Sequence, residues 1–243
     1  MQNFKKEVFK DKEEMSIAAA ELFVTEAQKI TEKGKRFAVC LSGGSTPEEM
    51  YKLLAKPEYA DRINWKRVHL FWGDERCVPP DDRDSNYNMV NNALLKKIDI
   101  PAGNVHRIKG ELEPKLAAGE YRAELNEFFR HKQPVFHLCY LGMGDDGHTA
   151  SLFPGTKAVT LSRKRAAEVY VRKLKSYRIT LAGPVLRQSK KTVFLVAGRG
   201  KSKAIKEVWY GDYDPNTYPA QLLREADGEV IWYLDEGLGR AVG

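Results

Sequence analysis

The sequence is short of cysteine and has no long apolar run. None of its apolar segments approaches the roughly 20 residues that a membrane-spanning helix requires. The charged N-terminal segment, MQNFKKEVFKDKEEM, lacks the apolar core of a signal peptide. The three cysteines (Cys40, Cys77 and Cys139) are an odd number and are not spaced like metal ligands. We therefore expect a cytoplasmic protein without a membrane partner, with reduced cysteines and no bound metal.

Neither sign of charge dominates the chain. Its 40 lysines and arginines stand against 33 acidic residues, a net charge of +7. Apart from residues 163–165 and 172–178, the basic residues are dispersed along the sequence. This distribution favours attraction of a small anionic substrate over binding of nucleic acid, with a solvated basic face as the alternative. The composition does not determine an oligomeric state.

Hydrophobic periodicity predicts an α/β protein. Short apolar runs, typical of strands buried on both faces, alternate with amphipathic helical segments. One helix is predicted over residues 12–33, before Gly34, and another over 113–131, with Leu116 facing inward. Because right-handed crossovers connect parallel strands, we expect one Rossmann-like domain over residues 1–243, with a mainly parallel sheet and helices on both faces. The five predicted strands are residues 37–41, 68–72, 135–141, 192–198 and 230–234.

The first predicted strand ends in the sequence SGGSTP at residues 42–47. Thr46, followed by Pro47 and three residues later by Glu49, has the pattern of a helix N-terminus with a capping box. The N–H groups and dipole of such a terminus favour an anion, although neither common glycine motif for nucleotides is present. We therefore expect either a site for a single phosphate or a plain capped helix, formed by Ser42, Gly43, Gly44, Ser45 and Thr46.

The second predicted strand is followed by Asp74, Glu75 and Arg76. Ligands of open α/β sheets bind beyond the carboxyl ends of the strands, which is where these side chains fall. The proline-rich, charged loop after them has the length of a lid or rim, and Ser85 is placed to cap the next helix. The alternative is a surface loop in which Arg76 pairs with a neighbouring aspartate.

The third predicted strand opens into LGMGDDGHTASLFPG at residues 141–155. Its glycines allow tight turns and close backbone approach. Asp145, Asp146 and His148 supply groups that titrate or orient a proton transfer. This combination predicts a functional site, and a strand-to-helix turn with a surface histidine is the alternative.

A fourth glycine-bearing loop runs into a helix that starts with Lys201 and Lys203. These lysines indicate either a phosphate contact or a solvated helix end. The other three loops follow strands of one predicted parallel sheet, so we expect them to converge at its carboxyl edge. They are residues 42–46, 73–76 and 142–148.

Three motifs, in this order, resemble the 6-phosphogluconolactonase family. They are SGGSTP (42–47), FWGDERCVPP followed by SNY (71–87), and LGMGDDGHTASLFPG (141–155). Three further segments are similar to that family's pattern: RITLAGPVL (178–186), GRGKSKAI (198–205) and YPAQLL (218–223). The resemblance extends from about residue 10 to the C-terminus. The broader group also includes glucosamine-6-phosphate deaminases and sugar-phosphate-sensing domains of bacterial regulators.

The resemblance implies hydrolysis of 6-phospho-D-glucono-1,5-lactone in the oxidative pentose phosphate pathway, without a metal or an organic cofactor. We hypothesise that His148 takes a proton from the attacking water and that Asp146 holds the imidazole, because the family carries a matching Asp-Gly-His. Arg76 is expected to meet either the oxyanion or the phosphate. Asp74 matches a proton-transfer carboxylate of related deaminases and is expected here to position water or Arg76.

The phosphate is expected against Gly43, Gly44, Ser45 and Thr46, with charge from Lys203 and Arg178. The Thr46 hydroxyl has capping as an alternative use, and Asp145 is expected to serve the turn. Two other functions stay open. A sugar-phosphate deaminase has a glutamate after the histidine, where this chain reads TASLFP. A non-catalytic sugar-phosphate sensor usually carries a DNA-binding domain, for which the roughly 36 residues before the first predicted strand leave little room.

Overall fold

The strands form one large parallel sheet and one small antiparallel sheet. The computed structural model describes residues 4–243. Its strands are β1 (Phe4–Phe9), β2 (Phe37–Leu41), β3 (Val68–Trp72), β4 (Asp74–Arg76), β5 (Val105–His106), β6 (Leu138–Leu141), β7 (Ala166–Val171), β8 (Ser176–Leu181), β9 (Lys191–Val196) and β10 (Glu229–Asp235).

Helices connect most of these strands. They are α1 (Lys12–Thr31), α2 (Ser45–Leu54), α3 (Pro57–Ala60), α4 (Asn86–Ala93), α5 (Pro114–Phe128), α6 (Gly183–Arg187), α7 (Ser202–Tyr210) and α8 (Glu236–Val242). Short 3₁₀ helices lie at Trp65–Arg67, Leu95–Lys97, Ala102–Asn104, Arg172–Leu174, Arg199–Lys201 and Pro219–Glu225. Within residues 4–243, no helix combines the length and apolar character needed to cross a bilayer.

The large sheet has the strand order β1-β10-β9-β6-β2-β3-β5, and every neighbouring pair is parallel. Its central strands β2, β3 and β6 are buried along their whole length, because their near-continuous apolar sequences are covered on both faces. The predicted α/β class and mainly parallel sheet are confirmed. Since the strands run the same way, the loops after β2, β3 and β6 meet at one edge of the sheet.

The prediction missed strand β1, because it assigned the residues before the first predicted strand to a helix alone. Residues Phe4–Phe9 pair with β10 at the edge of the large sheet. Four of the six β1 residues are exposed, so backbone pairing rather than an apolar pattern defines the strand. The helix that follows does match its prediction: α1 buries Met15, Ala19 and Phe23, and Asp11 caps it by accepting the Glu14 N–H.

The prediction also missed the small sheet, whose strand order is β4-β8-β7 and whose pairs are antiparallel. Asp74–Arg76 was expected in a loop but forms β4, one residue after β3. Leu181 N–H donates to the Gly73 carbonyl at 2.8 Å, which joins the small sheet to the end of the large one. The charged β4 sequence gives no strand periodicity, and only the pairing with β8 makes it a strand.

The helix predicted over residues 113–131 is α5, which ends earlier, at Phe128. Leu116 was placed inward by its spacing, but its side chain is 51% exposed. It lies in the first turn, next to the N-cap Glu113, which accepts the Leu116 N–H at 3.0 Å. The predicted cap of α4 is confirmed, because the Ser85 hydroxyl accepts the Asn88 N–H.

Candidate active site

The loops singled out in the sequence meet in one cleft at the carboxyl edge of the large sheet. The cleft has a volume of about 430 Å³, and the small sheet forms part of its wall. The predicted residues that line it are Ser42, Gly43, Gly44, Ser45, Thr46, Asp74, Arg76, His148 and Arg178. Asp146 lies directly behind His148. Asp145 and Lys203 are exposed and do not line the cleft.

The side chains of His148 and Asp146 form a short hydrogen bond. His148 Nδ1 lies 2.5 Å from Asp146 Oδ1, and the His148 N–H donates to the same oxygen at 3.2 Å. The hydrogen bond from the imidazole lowers the pKa of Asp146, against the opposing effect of burial. In residues 4–243, Nε2 of this imidazole has no hydrogen-bond partner. The pair therefore presents one ring nitrogen to a carboxylate and leaves the other for a ligand in the cleft.

The glycines of the loop make room for this imidazole. A Cβ added at Gly144 would lie 2.1 Å from ring atoms of His148. Gly147 has φ of 76°, a conformation that favours glycine, and lies against Tyr218. On its other side the imidazole stacks on Phe153, with ring centroids 4.1 Å apart. The ring is therefore fixed by its hydrogen bond, its aromatic neighbour and the space above Gly144.

The carboxylate of Asp74 is held by two buried side chains. Ser151 Oγ donates to Oδ2 at 2.6 Å, and Asn86 Nδ2 donates to Oδ1 at 3.3 Å. Asn86 also donates to the Asp74 carbonyl at 2.9 Å. Ser151 and Asn86 are only 1% and 3% exposed, so solvent does not compete for these contacts. Asp74 is thus a fixed, hydrogen-bonded carboxylate on the cleft wall.

Glu75 faces away from the cleft and ties β4 to the start of α4. Its buried carboxylate accepts the backbone N–H groups of Asn86 and Tyr87, both at 2.7 Å, and of Arg76 at 2.8 Å. The Ser85 hydroxyl donates to it at 3.1 Å. Burial raises the pKa of Glu75, and the three backbone donors oppose that rise. Glu75 therefore fixes Asn86, which in turn contacts Asp74 and fills the space beside Gly43.

The N-terminus of α2 forms the opposite wall. Gly44, with φ of 108°, precedes the first helical residue Ser45, and no side chain caps the helix. The expected capping by Thr46 was wrong, because the helix begins before it and Thr46 is buried in the first turn. The first-turn N–H groups of α2 are therefore free of a capping side chain at the cleft, as an anion site requires.

Two arginines lie side by side on the small sheet. Arg76 of β4 and Arg178 of β8 are register partners, and both line the cleft. Arg76 donates to the Asp84 carbonyl rather than to a carboxylate. Burial and then the neighbouring Arg76 lower the pKa of Arg178. Because the two positive guanidinium groups repel each other, their arrangement favours the binding of an anion between them.

Of the two lysines at the start of α7, it is Lys201 that lines the cleft. It ends the 3₁₀ turn Arg199–Lys201 and is partly buried, and this burial lowers its pKa. Lys203 was selected from the sequence as the phosphate contact, but it is exposed in the first helical turn. Lys201 closes the 3₁₀ turn that lines the cleft, whereas Lys203 already lies in the first turn of α7 and is exposed.

Lys173 completes the cleft and was not predicted. It lies in the turn between β7 and β8, and its Nζ is 3.5 Å from Asp146 Oδ2. Asp146 is therefore contacted by an imidazole at one oxygen and by an ammonium at the other. Within the described residues, no group of three or more His, Cys, Asp or Glu side chains is arranged to hold a metal ion.

Comparison with known proteins places this geometry in a family. Residues 10–232 match the sequence profile described as glucosamine-6-phosphate isomerases/6-phosphogluconolactonase. The chain belongs to that family. It is 39% identical over 209 residues to a 6-phosphogluconolactonase of Haemophilus influenzae, covering 83% of this chain and 86% of that protein. A 6-phosphogluconolactonase of Nostoc is 36% identical over 237 residues, covering 96% of each chain.

A solved structure extends the likeness to the whole fold. The crystal structure of a devB protein superposes with a TM-score of 0.89 at 34% identity, covering 99% of this chain and 100% of that one. Membership in the glucosamine-6-phosphate isomerase/6-phosphogluconolactonase family confirms the resemblance found in the three sequence motifs.

Five residues of the site were not predicted from the sequence as site residues. Ser151 and Phe153 stand in the third motif but have no titratable group, and Asn86 follows a loop of unpredicted path. Lys201 carries the same sequence signal as Lys203, which was the predicted phosphate contact. Lys173 carries no motif signal, because only the unpredicted β7–β8 pairing brings it to Asp146.

Proposed function

We propose that this protein hydrolyses 6-phospho-D-glucono-1,5-lactone to 6-phosphogluconate. The observation that carries the proposal is the 2.5 Å contact between His148 Nδ1 and Asp146 Oδ1, at a cleft that also contains Arg76, Arg178 and Lys201. An imidazole held by a carboxylate can activate water, and the three cations suit a phosphorylated substrate. Relatives that are 36–39% identical over most of the chain are named 6-phosphogluconolactonase, which supports the same substrate.

The reaction needs one proton acceptor that later becomes a donor. Neutral His148 takes a proton at Nε2 as the water oxygen attacks the lactone carbonyl, and Asp146 stabilises the resulting imidazolium through Nδ1–H. As the tetrahedral intermediate collapses, the bond between the carbonyl carbon and the ring oxygen breaks. The imidazolium returns the proton to that oxygen, which becomes a hydroxyl. The new carboxylic acid then loses its own proton to solvent.

The phosphate binds between the two cationic walls of the cleft. The loop at the N-terminus of α2, with Gly43, Gly44, Ser45 and Thr46, supplies backbone donors, whereas the Ser42 N–H already donates to the Tyr51 hydroxyl at 3.1 Å. Arg178 and Lys201 supply charge, and Lys201 takes the part that the sequence assigned to Lys203. The pairing of Arg76 with Arg178 in register favours the phosphate for both guanidiniums, since a phosphate dianion accepts several charge-assisted hydrogen bonds.

Asp74 has a positioning role in this scheme. Both of its carboxylate oxygens already accept hydrogen bonds, from Asn86 and from Ser151. A carboxylate that is held in this way is suited to orienting water and the neighbouring cations and poorly suited to shuttling a proton. This distinguishes the site from that of a deaminase, in which the matching carboxylate transfers a proton. The segment after the histidine also differs from that of a deaminase. Here the side chain that contacts the imidazole is Phe153, and it is not a glutamate.

A coupled assay tests the proposal. Freshly generated 6-phosphogluconolactone is added to the protein, the spontaneous hydrolysis is subtracted, and 6-phosphogluconate is measured with a dehydrogenase. We expect turnover by the wild-type protein and no ammonia release from glucosamine 6-phosphate. Binding of the lactone without turnover would overturn the proposal in favour of a sensor. Ammonia release would overturn it in favour of a deaminase.

The cellular setting belongs to the same proposal. We place the reaction in the cytoplasm, with the phosphorylated lactone as the partner molecule and no nucleic acid. The support for a small anionic partner molecule is the site itself, whose cations converge in a cleft sized for a small molecule.

A further inference from the structure

Positive charge is concentrated in the segment of residues 157–178. Residues 157–178 contain eight lysines and arginines and one acidic residue, a net charge of +7. The whole chain has the same net charge of +7, so the remaining residues are balanced. The segment builds β7, β8 and the turn between them. Residues 187–206 are a second basic stretch, with seven lysines and arginines and no acidic residue, and they lie outside the small sheet.

Part of this segment lines a groove that adjoins the cleft. The groove has a volume of about 910 Å³ and shares Phe153 and Lys173 with the cleft. Lys157 and Arg172 line the groove and do not line the cleft, and both are exposed. The acidic residues in its lining are Asp146, which is already contacted by His148 and Lys173, and Glu168.

We propose that the basic segment 157–178 guides the anionic substrate along this groove into the cleft, which raises the rate of capture. The inference rests on the proposed function. A phosphate monoester carries a charge of about −1.5 to −2 at pH 7. Positive charges that border a cleft raise the association rate of an anion by about 10- to 1,000-fold. Lys157 and Arg172 act through this field and not through contact with the bound substrate.

The position of the charges favours guidance over tight binding. Exposed ammonium and guanidinium groups in water contribute little to a fixed ion pair. Their field nevertheless extends over about 8 Å at physiological ionic strength, and much farther at low salt. The groove and the cleft share Phe153 and Lys173, so a dianion in the groove lies next to the cleft and its cations. Capture should therefore depend strongly on salt, and turnover of the bound substrate should not.

The test is a double charge reversal, Lys157→Glu with Arg172→Glu. We expect kcat/KM for the phosphorylated lactone to fall about tenfold at low ionic strength. The loss should shrink as salt is added, because the field is screened. The value of kcat should stay unchanged, and so should kcat/KM for unphosphorylated gluconolactone, which carries no charge.

The matched control is Lys33→Glu with Lys66→Glu. Both lysines are exposed and precede strands β2 and β3, so they lie at the amino edge of the large sheet, opposite the cleft. The control changes the net charge by the same amount, and it should leave kcat/KM nearly unchanged. Equal losses in the two double variants would overturn guidance by this segment, as would a wild-type kcat/KM that is independent of salt. Absence of lactonase activity in the wild type would instead contradict the proposed function.

Discussion

The two sheets contribute differently to the cleft. The loops of the large parallel sheet hold His148 and Asp146 in one arrangement, through a 2.5 Å hydrogen bond, a stacked Phe153 and the space above Gly144. The small antiparallel sheet contributes paired cations, Arg76 and Arg178, and a basic turn. The loops of the large sheet hold the reacting groups in a single geometry, and the arginines of the small sheet attract an anion. The small sheet thus shares phosphate recognition with the α2 N-terminus and Lys201, whereas the pair that transfers the proton lies on the large-sheet loops alone.

The largest effect should come from removing the imidazole. His148→Ala should lower kcat by about 10²- to 10⁴-fold, which is the usual contribution of a general base, and should leave KM for the phosphorylated lactone nearly unchanged. Steady-state kinetics with background subtraction measures both values. Near-normal turnover would show that the parallel-sheet wall is not where the proton is transferred.

Asp146→Asn should also act on kcat, because the amide cannot stabilise an imidazolium as a carboxylate does. We expect a loss smaller than that of His148→Ala, since the base itself remains. An unchanged kcat would contradict the role of the pair.

A displacement of the imidazole should be almost as harmful. Gly144→Ala puts a Cβ where ring atoms of His148 now lie 2.1 Å away, so the ring has to move. A misplacement of about 1 Å can lower kcat about 100-fold. Gly103→Ala is the matched control, because an added Cβ there meets nothing within 4 Å. Similar kcat values for the two variants would refute the need for a fixed imidazole.

Loss of a cation on the other wall should change KM instead. Arg178→Gln removes charge-assisted hydrogen bonds worth about 1.5–3 kcal/mol, which corresponds to about a 10- to 100-fold rise in KM for the phosphorylated lactone. The KM for unphosphorylated gluconolactone should not rise. A similar rise with both substrates would rule out a phosphate contact. The same comparison for Arg76→Gln decides between the phosphate and the oxyanion.

Lys201, just before α7, and Lys203, in its first turn, offer a matched pair. Lys201→Ala should raise KM for the phosphorylated lactone about tenfold, because this side chain lines the cleft. Lys203→Ala should have little effect, because Lys203 is exposed outside it. The reverse result would restore the residue chosen from the sequence.

The smallest effect concerns stability. The pKa of Asp146 is lowered in the folded protein by the hydrogen bond from His148. Its contribution is therefore fully present above the unfolded pKa of about 3.9 and is lost as the pH falls below it. The free energy of unfolding of Asp146→Asn should approach that of the wild type as the pH is lowered from 5 toward 3. Chemical denaturation at several pH values measures this, and a constant difference would contradict the lowered pKa.

The sequence predicted the large sheet well, because β2, β3 and β6 are apolar along their length and each leads into a loop of turn-forming residues. It predicted the small sheet poorly, because β4 is short and charged throughout and becomes a strand only by pairing with the distant β8. The same division applies to the site. His148 and Asp146 are two residues apart and were found, whereas Lys173 reaches Asp146 only through the β7–β8 turn.

Helix phase explains the remaining difference. Lys201 and Lys203 are both lysines and are separated by one residue, so the sequence does not distinguish them. The observed start of α7 decides which of them faces the cleft. Thr46 shows the same effect, since the backbone at Gly44 starts α2 before the expected cap.

The separation of proton transfer at His148 from phosphate recognition at Arg178 is tested most directly by one ratio. It is kcat/KM for the phosphorylated lactone divided by kcat/KM for unphosphorylated gluconolactone, measured for the wild type, His148→Ala and Arg178→Gln. We predict that His148→Ala lowers both values and leaves the ratio unchanged, whereas Arg178→Gln lowers the ratio at least tenfold. A ratio that falls equally in both variants would contradict the separation of chemistry from phosphate recognition.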